Sequence, residues 1–324
     1  MNEELLPICK NPPITTYHHH AFPLGVLFAD SIDIRPWFYS NYIQLVYDTN
    51  DKCAFNFMYT FFSQSDLFEV LLTSKQIINK FHIDLTDYIK NAIQTGYYLY
   101  AYTNEYYIPR RMAYQKYNND HDICIFGYND DEFYTLGYNK DKNYVDDVVK
   151  FDDFKKSDPT LIFLFKLKKT NNYVLNLSQI YDLLNDYVFP SKKSSLYGVW
   201  MPNCHAKYWG GNAYKYFEDY FQTLGNHQTN IDLRGFQLLL EHKQCMYERL
   251  IFLKEHCALQ LNNQIDSFKA IVDLAQQLKF QFIKYSMKGE TSMLPPILKS
   301  ICSLREKESV ILIEVLNIIK RKID

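Results

Sequence analysis

The sequence has little glycine, no excess of either charge and no long apolar run. Its 324 residues contain 10 Gly, and 35 Lys and Arg nearly balance 37 Asp and Glu. The lack of a basic excess argues against a nucleic-acid partner. The longest apolar run, residues 161–167, is far shorter than the roughly 20 residues of a membrane-spanning helix. We therefore expect no membrane segment, and the N-terminal residues do not have the pattern of a secretory signal.

The cysteine pattern argues against two further classes of protein. The sequence has seven cysteines, an odd number, and no pair with CxxC spacing. A secreted disulfide framework and a zinc site of standard spacing are therefore not expected. We predict a cytoplasmic protein whose thiols are reduced and mostly buried as small apolar side chains. The cysteines are Cys9, Cys53, Cys124, Cys204, Cys245, Cys257 and Cys302.

Aromatic residues are abundant instead, at 17% of the chain, with 28 Tyr and 23 Phe. So much apolar ring surface is incompatible with a disordered chain. At roughly 150 residues per domain, the length suggests two domains. Residues 1–205 mix short aromatic strands with a few helices, whereas residues 206–324 have helical periodicity. We predict an α+β domain with an antiparallel sheet and an N-terminal helix, followed by an α-helical bundle.

Apolar spacing and turn residues predict the individual elements. The first predicted helix, residues 17–30, requires Pro23 in its first turn, where a missing N–H is tolerated. Residues 161–167 and 173–177 form a predicted strand pair. The other predicted strands are residues 56–62, 96–103 and 148–157, the last running into a helix, and the other predicted helices are residues 65–75, 84–92, 213–224, 232–255, 267–285 and 296–320.

The clearest local signal is a β-hairpin. Residues 120–128 and 133–139 alternate like strands, and Asn129 begins the turn between them. Such a hairpin brings His121 and Asn139 side by side. A histidine at a strand start has a pKa suited to proton transfer, and a neighbouring amide could fix its tautomer. The alternative is that His121 is a surface histidine and Asn139 a turn residue.

The hairpin HDICIFGYNDDEFYTLGYN, residues 121–139, resembles the histidine-containing hairpin of papain-like cysteine peptidases and acyltransferases related to the N-terminal domain of butirosin biosynthesis protein H. The segment DLRGFQLLLEHKQCMYERLIFL, residues 232–253, resembles the helical extension of relatives found in nonribosomal peptide and related biosynthetic clusters. The resemblance implies a papain-like fold for residues 1–205. It also implies acyl transfer, in which a cysteine attacks an acyl thioester on a carrier protein, with His121 as general base and Asn139 as its orienting residue.

The sequence departs from this family at the nucleophile. The family's cysteine begins the first long helix, where this chain reads YHHHAFPLGVLFAD. Cys9 precedes this segment and Cys53 follows it in a predicted core strand. No imidazole or hydroxyl replaces a thiolate without rebuilding the site.

The three consecutive histidines leave three interpretations open. They form a polar helix start with one ring packed inward, or His19 or His20 faces His121 as an auxiliary group for direct aminolysis of a thioester. The third is a metal site completed by His121 and a carboxylate. Consecutive histidines point in different directions on a helix, which argues against the metal site. We therefore predict no metal and no cofactor beyond the acyl-phosphopantetheine arm of the carrier protein.

Several other residues are weaker candidates. Tyr17, Tyr100 and Tyr102 are predicted to bind substrate, although core packing also accounts for these rings. Arg110 and Arg111 are predicted to bind the phosphate of the phosphopantetheine arm, although they also suit an ordinary surface. Two further groups are assigned no catalytic role: Cys204 with His205 in an aromatic loop, and Glu241, His242 and Glu248 on the predicted solvated face of a helix.

The sequence therefore predicts an enzyme that forms or hydrolyses an amide or ester bond, using an acyl thioester on a carrier protein in specialised-metabolite biosynthesis. The predicted partners are an acyl or peptidyl carrier protein and a small amine or alcohol acceptor. The competing hypothesis is a catalytically degenerate papain-like protein that binds a carrier protein as a scaffold, which the missing cysteine favours.

Overall fold

A computed structural model describes residues 3–29, 32–58, 67–168, 173–190, 207–226 and 231–324. The chain divides into two compact units. Unit 1 consists of Met1–Asp33 and Phe61–Asn172, and unit 2 of Ile34–Thr60 and Tyr173–Asp324. This division differs from the predicted boundary near residue 205, because an early segment of the chain packs with the C-terminal helices. The predicted combination of antiparallel sheets with a C-terminal helical region is confirmed.

Unit 1 is built on a seven-stranded antiparallel sheet with the order β4-β9-β5-β6-β7-β8, and β1 pairs with the end of β6. A Cβ on Gly127 of β6 would lie 2.6 Å from the carbonyl oxygen of Glu4, so glycine permits the close approach of β1. The strands are β1 (Glu4–Leu5), β4 (Phe68–Ser74), β5 (Tyr98–Asn104), β6 (Asp120–Tyr128), β7 (Glu132–Tyr138), β8 (Tyr144–Lys150) and β9 (Leu161–Leu167).

The predicted hairpin is confirmed as β6 and β7. The side-chain oxygen of Asn129 accepts hydrogen bonds from the backbone N–H groups of Asp131 and Glu132, at 2.9 and 2.8 Å. Asparagine therefore closes the turn with its own side chain. Cys124 lies opposite Leu136, so the same register continued toward the strand ends would place His121 opposite Asn139.

Helices pack on both faces of the unit 1 sheet. One face carries the aliphatic core, in which Ile89 and Ile93 of α4 pack with Ile123 and Ile125 of β6. On the opposite face α1 contacts β6. Every residue of α1 except His19 is buried, as expected for a helix without a polar face. The helices of unit 1 are α1 (His18–Leu27), α3 (Lys75–Lys80), α4 (Leu85–Gln94) and α5 (Phe151–Lys156).

Three local predictions are wrong. The segment 68–74, predicted within a helix, is strand β4, because its seven residues pair with β9 over their whole length. Helix α1 begins at His18, so Pro23 lies inside the helix rather than in its first turn. The predicted partner of β9 at residues 173–177 is not a strand; β9 pairs with β4 and β5.

Unit 2 combines a small antiparallel sheet, in the order β10-β2-β3, with long helices. The four predicted helices after residue 210 are confirmed: the first two begin and end two residues later than predicted, and the last two are longer at both ends. The strands are β2 (Leu45–Tyr47), β3 (Phe55–Phe57) and β10 (Tyr208–Trp209). The helices are α2 (Arg35–Asn41), α6 (Leu177–Val188), α7 (Lys215–Asn226), α8 (Arg234–Cys257), α9 (Asn262–Lys288) and α10 (Leu294–Ile323). Among the helices of the described ranges, none is both long enough and apolar enough to cross a membrane.

The predicted solvated face of α8 is wrong for two of its three residues. Glu241 and His242 are buried, together with the next residue, Lys243, while Glu248 is exposed. Helix α8 contacts α9, α2 and β3, so it is covered on several sides. Burial of His242 and Lys243 is tolerated because the Lys243 ammonium contacts His242 Nδ1 at 3.0 Å and Glu308 Oε1 at 2.6 Å, and Glu241 accepts a hydrogen bond from Gln237.

Unit 2 is expected to lose stability as the pH falls below about 6.5, the usual pKa of histidine. His242 Nε2 donates to the carbonyl oxygen of Ile43 at 2.9 Å, and its Nδ1 accepts from Lys243. Burial, and then the charge of Lys243, hold the pKa of His242 well below 6.5. Below that pH the unfolded chain binds a proton that the folded chain refuses, so the free energy of unfolding decreases with decreasing pH.

Urea titrations between about pH 7.5 and about pH 5 measure this effect. Tryptophan fluorescence reports on unit 2, because Trp37 and Trp209, the tryptophans among the described residues, both belong to it. The variant His242→Gln keeps an N–H donor for Ile43 and should show a weaker pH dependence than the wild type. Equal slopes for the two proteins would contradict the assignment to His242.

Candidate active site

His121 lies near the start of β6, opposite Thr103 of β5, and its side chain is 44% exposed. Its Nδ1 atom faces only acceptors: Asp122 Oδ1 at 3.1 Å, the Asp122 carbonyl oxygen at 3.4 Å and Glu105 Oε1 at 3.7 Å. A ring nitrogen surrounded by acceptors carries the proton, so the lone pair of the neutral imidazole is on Nε2. His121 therefore has the tautomer of a general base.

Asp122 connects His121 to a second histidine. Its Oδ1 atom lies 2.7 Å from His18 Nδ1, and its Oδ2 atom accepts a hydrogen bond from the Tyr100 hydroxyl at 2.6 Å. Burial by itself would raise the pKa of Asp122, but the neighbouring His18 and the hydrogen bonds hold it below the usual range. Asp122, whose side chain is 13% exposed, is therefore a carboxylate at neutral pH. Burial raises the pKa of Tyr100 far above its usual value, so this phenol remains a donor.

His18 is the first residue of α1 and is buried. Its ring stacks on Phe22 one turn later, at 4.6 Å, and on Tyr138 of β7, at 5.4 Å. His18 Nε2 accepts the backbone N–H of Tyr138 at 3.3 Å. The proton of the neutral ring must then be on Nδ1, where it is donated to Asp122. Burial lowers the pKa of His18, which favours this neutral form.

His18, His121 and Asp122 are also the one group in the described ranges that could hold a metal ion. Their possible ligand atoms all lie within 4.8 Å of one another. A metal-bound histidine is unprotonated at the ligating nitrogen and donates through the other. His18 has the opposite arrangement, because Nε2 accepts from Tyr138. The geometry therefore fits a hydrogen-bond network better than a metal site.

Tyr138 on β7 supports this network, and Arg111, which lies between β5 and β6, supports it by binding β7. Arg111 donates to the carbonyl oxygens of Tyr138 and Leu136, at 2.6 and 3.3 Å. Its guanidinium lies so close to Gly137 that a Cβ at that position would clash with it. The Tyr138 hydroxyl donates to the carbonyl oxygen of Thr15 at 2.9 Å. Arg111, predicted to bind phosphate, is thus buried against the strand that presents the Tyr138 N–H group to His18.

The structure places the other predicted residues as follows. Asn139 lies in the turn after β7, and its side-chain oxygen accepts from the N–H groups of Asp141 and Asn143. Its role as orienting residue of His121 therefore has no support in these contacts. Arg110 is exposed and pairs with Asp147 at 2.7 Å. The predicted cysteine–histidine pair at 204 and 205 lies outside the described residues.

The aromatic and histidine predictions are divided between the site and its surroundings. Tyr100 belongs to the network, and the hydroxyl of the part-exposed Tyr102 lies 3.4 Å from that of Tyr100. Tyr17 is the buried residue preceding α1 and stacks on His19. His20 is fully buried. Of the three consecutive histidines, His18 is the one that meets His121, with ring centres 5.0 Å apart.

Sequence reasoning missed His18 and Asp122. Strand alternation assigns Asp122 to the face opposite His121, and it does point toward α1, but the His121 ring also reaches its carboxylate. Two signals could have found the pair. One is a carboxylate at an inward position of an apolar strand, and the other is the helical spacing of His18 and Phe22. In the described part of the chain, no cysteine contacts His121, and burial raises the pKa of Cys124 on the same strand.

The fold and the site together define an antiparallel α+β unit with a half-exposed histidine oriented by a partly buried carboxylate. A scan against protein-family models and a search of curated proteins both gave no match for this chain.

Proposed function

We propose that unit 1 is a papain-like acyl-transfer domain that acts on an acyl thioester carried by the phosphopantetheine arm of a carrier protein. The observation that carries this proposal is the geometry of His121, whose Nδ1 faces Asp122 and whose Nε2 is left to accept a proton. The start of α1 lies beside this histidine, as the resemblance to papain-like acyltransferases implies.

The proposed reaction has no covalent enzyme intermediate. The residue that begins α1 is His18, and both of its nitrogens are engaged in hydrogen bonds. The attacking group is then the acceptor itself, an amine, an alcohol or water. His121 Nε2 accepts the proton of this nucleophile as it attacks the thioester carbonyl. The C–S bond breaks, the proton passes to the departing thiolate, and an amide, ester or acid is released with the free thiol of the arm.

The same position of His18 favours the second candidate, a carrier-binding scaffold without catalysis. A neutral, buried imidazole bound on both sides cannot act as the nucleophile of a thiol-type mechanism. The two candidates differ in whether His121 has a substrate to act on, which a turnover assay measures.

The test uses a carrier protein loaded with a set of acyl groups, a primary amine as acceptor and mass spectrometry of the carrier. We expect His121→Ala to lower acyl turnover by roughly 10²- to 10⁴-fold, the usual contribution of a general base. The matched control is His82→Asn, which changes an exposed histidine of the same unit at a left-handed backbone position that asparagine tolerates.

Three outcomes are informative. A loss confined to His121→Ala supports the proposed enzyme. Unchanged turnover in that variant contradicts the role of His121. Stable binding of the carrier, with no turnover of any loaded acyl group, supports the scaffold instead. Intact mass spectrometry of the wild type should also show no acyl adduct, because the acceptor attacks directly.

A further inference from the structure

His18 occupies the start of the helix that faces the proposed base, yet its geometry is that of a supporting group. Its side chain is 3% exposed and its two nitrogens have partners of opposite kind. Tyr138 N–H donates to Nε2, and Asp122 Oδ1 lies 2.7 Å from Nδ1. A neutral imidazole has one donor and one acceptor nitrogen, so the two contacts determine its tautomer.

The environment of Asp122 shows why such a donor matters. Donors reach the carboxylate from three directions: His18 on α1, Tyr100 on β5 and His121 beside it on β6. Two further charges lie near the network. The positive charge of Arg111 interacts with Asp122, and the Glu105 carboxylate lies 3.7 Å from His121 Nδ1. A buried carboxylate that loses one of its donors becomes easier to protonate or free to turn away.

We infer that His18 is a positioning residue, which donates from Nδ1 to hold the Asp122 carboxylate against His121. The kinetic part of this inference rests on the proposed function, whereas the tautomer of His18 does not. The chain thus has a histidine at the head of α1 that fixes the orientation of the base without touching the substrate.

The tautomer is tested by long-range ¹H–¹⁵N correlation of the histidine side chains, with His18 assigned by its absence in His18→Phe. We expect His18 to be protonated at Nδ1 and unprotonated at Nε2 throughout neutral pH, and to stay so when Zn²⁺ is added. Protonation at Nε2, or a shift of the His18 nitrogens on addition of Zn²⁺, would overturn the inference and favour a metal ligand. This experiment needs no substrate, so its result stands even if the proposed function fails.

The positioning role is tested by two replacements of His18. Phenylalanine preserves the ring that stacks on Phe22 and Tyr138 but removes the donor, whereas asparagine keeps an N–H donor near the position of Nδ1. We expect His18→Phe to lower kcat roughly 10- to 100-fold with KM unchanged, and His18→Asn to recover most of the loss. In His18→Phe the His121 nitrogens should also shift, because Asp122 is no longer held.

Thermal unfolding of both variants establishes that they fold. Equal losses of kcat in the two folded variants would overturn the inference, since the ring rather than the donor would then matter. Full activity of His18→Phe would overturn it as well. If His18→Phe does not fold, His18→Asn and the tautomer measurement still decide: an inactive but folded His18→Asn contradicts the role of the donor.

Discussion

Replacement of Lys243 by alanine is expected to lower the stability of unit 2 by about 3–5 kcal/mol, the usual cost of removing one partner from a buried ion pair. The Lys243 and Glu308 side chains are 0% and 1% exposed, and Nζ lies 2.6 Å from Glu308 Oε1. Without the ammonium, the Glu308 carboxylate would remain in the core with only the hydroxyls of Tyr187 and Tyr214 as donors.

The location of this pair explains why the effect should be large. Lys243 lies on α8, Glu308 on α10 and Tyr187 on α6, so one cluster connects three helices. The ammonium also lies over the rings of Tyr187 and Tyr214, at 5.4 and 5.2 Å. Burial lowers the pKa of Lys243 to about 8, while Glu308 opposes the decrease. The ammonium and the carboxylate therefore depend on each other.

Urea unfolding followed by tryptophan fluorescence measures the loss. The double variant Lys243→Met with Glu308→Gln removes both charges and keeps an acceptor for the two tyrosines. It should be more stable than Lys243→Ala, because no uncompensated charge is buried. Lys269→Ala serves as the control, since that exposed lysine pairs with Asp273 at 3.4 Å on the surface of α9. A loss below about 1 kcal/mol for Lys243→Ala would contradict the argument.

Asp122→Asn is expected to lower acyl turnover by roughly 10²- to 10⁴-fold, as much as removal of the base itself. The amide oxygen can still accept two hydrogen bonds, but the amide nitrogen that replaces the other carboxylate oxygen is a donor. Three groups now donate toward the carboxylate: His18, His121 and Tyr100. One of them must then meet an N–H group. If this is His121, its ring has to present a lone pair at Nδ1 and carry its proton on Nε2, which removes the base.

The matched control for Asp122→Asn is Asp146→Asn on β8 of the same unit. The Asp146 side chain is 45% exposed and pairs with Lys10 on the surface. We therefore expect the Asp146→Asn variant to have wild-type turnover. The turnover assay described above gives the rates, and histidine side-chain ¹H–¹⁵N spectra give the tautomer of His121. A folded Asp122→Asn protein with wild-type turnover would show that His121 does not depend on this carboxylate.

The hairpin that presents His121 could be predicted because its determinants are local. Asn129 closes the turn through contacts two and three residues away, and alternation assigns Ile123 and Ile125 to the core. The same holds for the long helices of unit 2, whose apolar stripes are continuous in sequence. Helix α4 is capped by the Asp84 side chain, which accepts the Asp87 N–H group at 3.0 Å.

The predictions that proved wrong depended on partners far away in the chain. The apolar spacing of residues 68–74 predicts a helix, but pairing with residues 161–167 makes them a strand. Helical spacing predicts that His242 lies on a solvated face, whereas it is buried and its Nε2 donates to the carbonyl oxygen of Ile43, 199 positions earlier in the chain. Spacing within a segment carries no information about which distant strand or helix will cover it.

The sequence by itself determined the α+β class, the helical C-terminal region, the position of His121 at a strand start and the absence of a cysteine in YHHHAFPLGVLFAD. These features follow from local periodicity and turn chemistry. Only the tertiary structure decided that His18 meets His121, that Asp122 lies between them and that Lys243 pairs with Glu308. Apart from the contact between the neighbours His121 and Asp122, each of these contacts joins residues at least 65 positions apart in the sequence. Such contacts form only when whole helices and strands pack together, so local sequence patterns do not predict them.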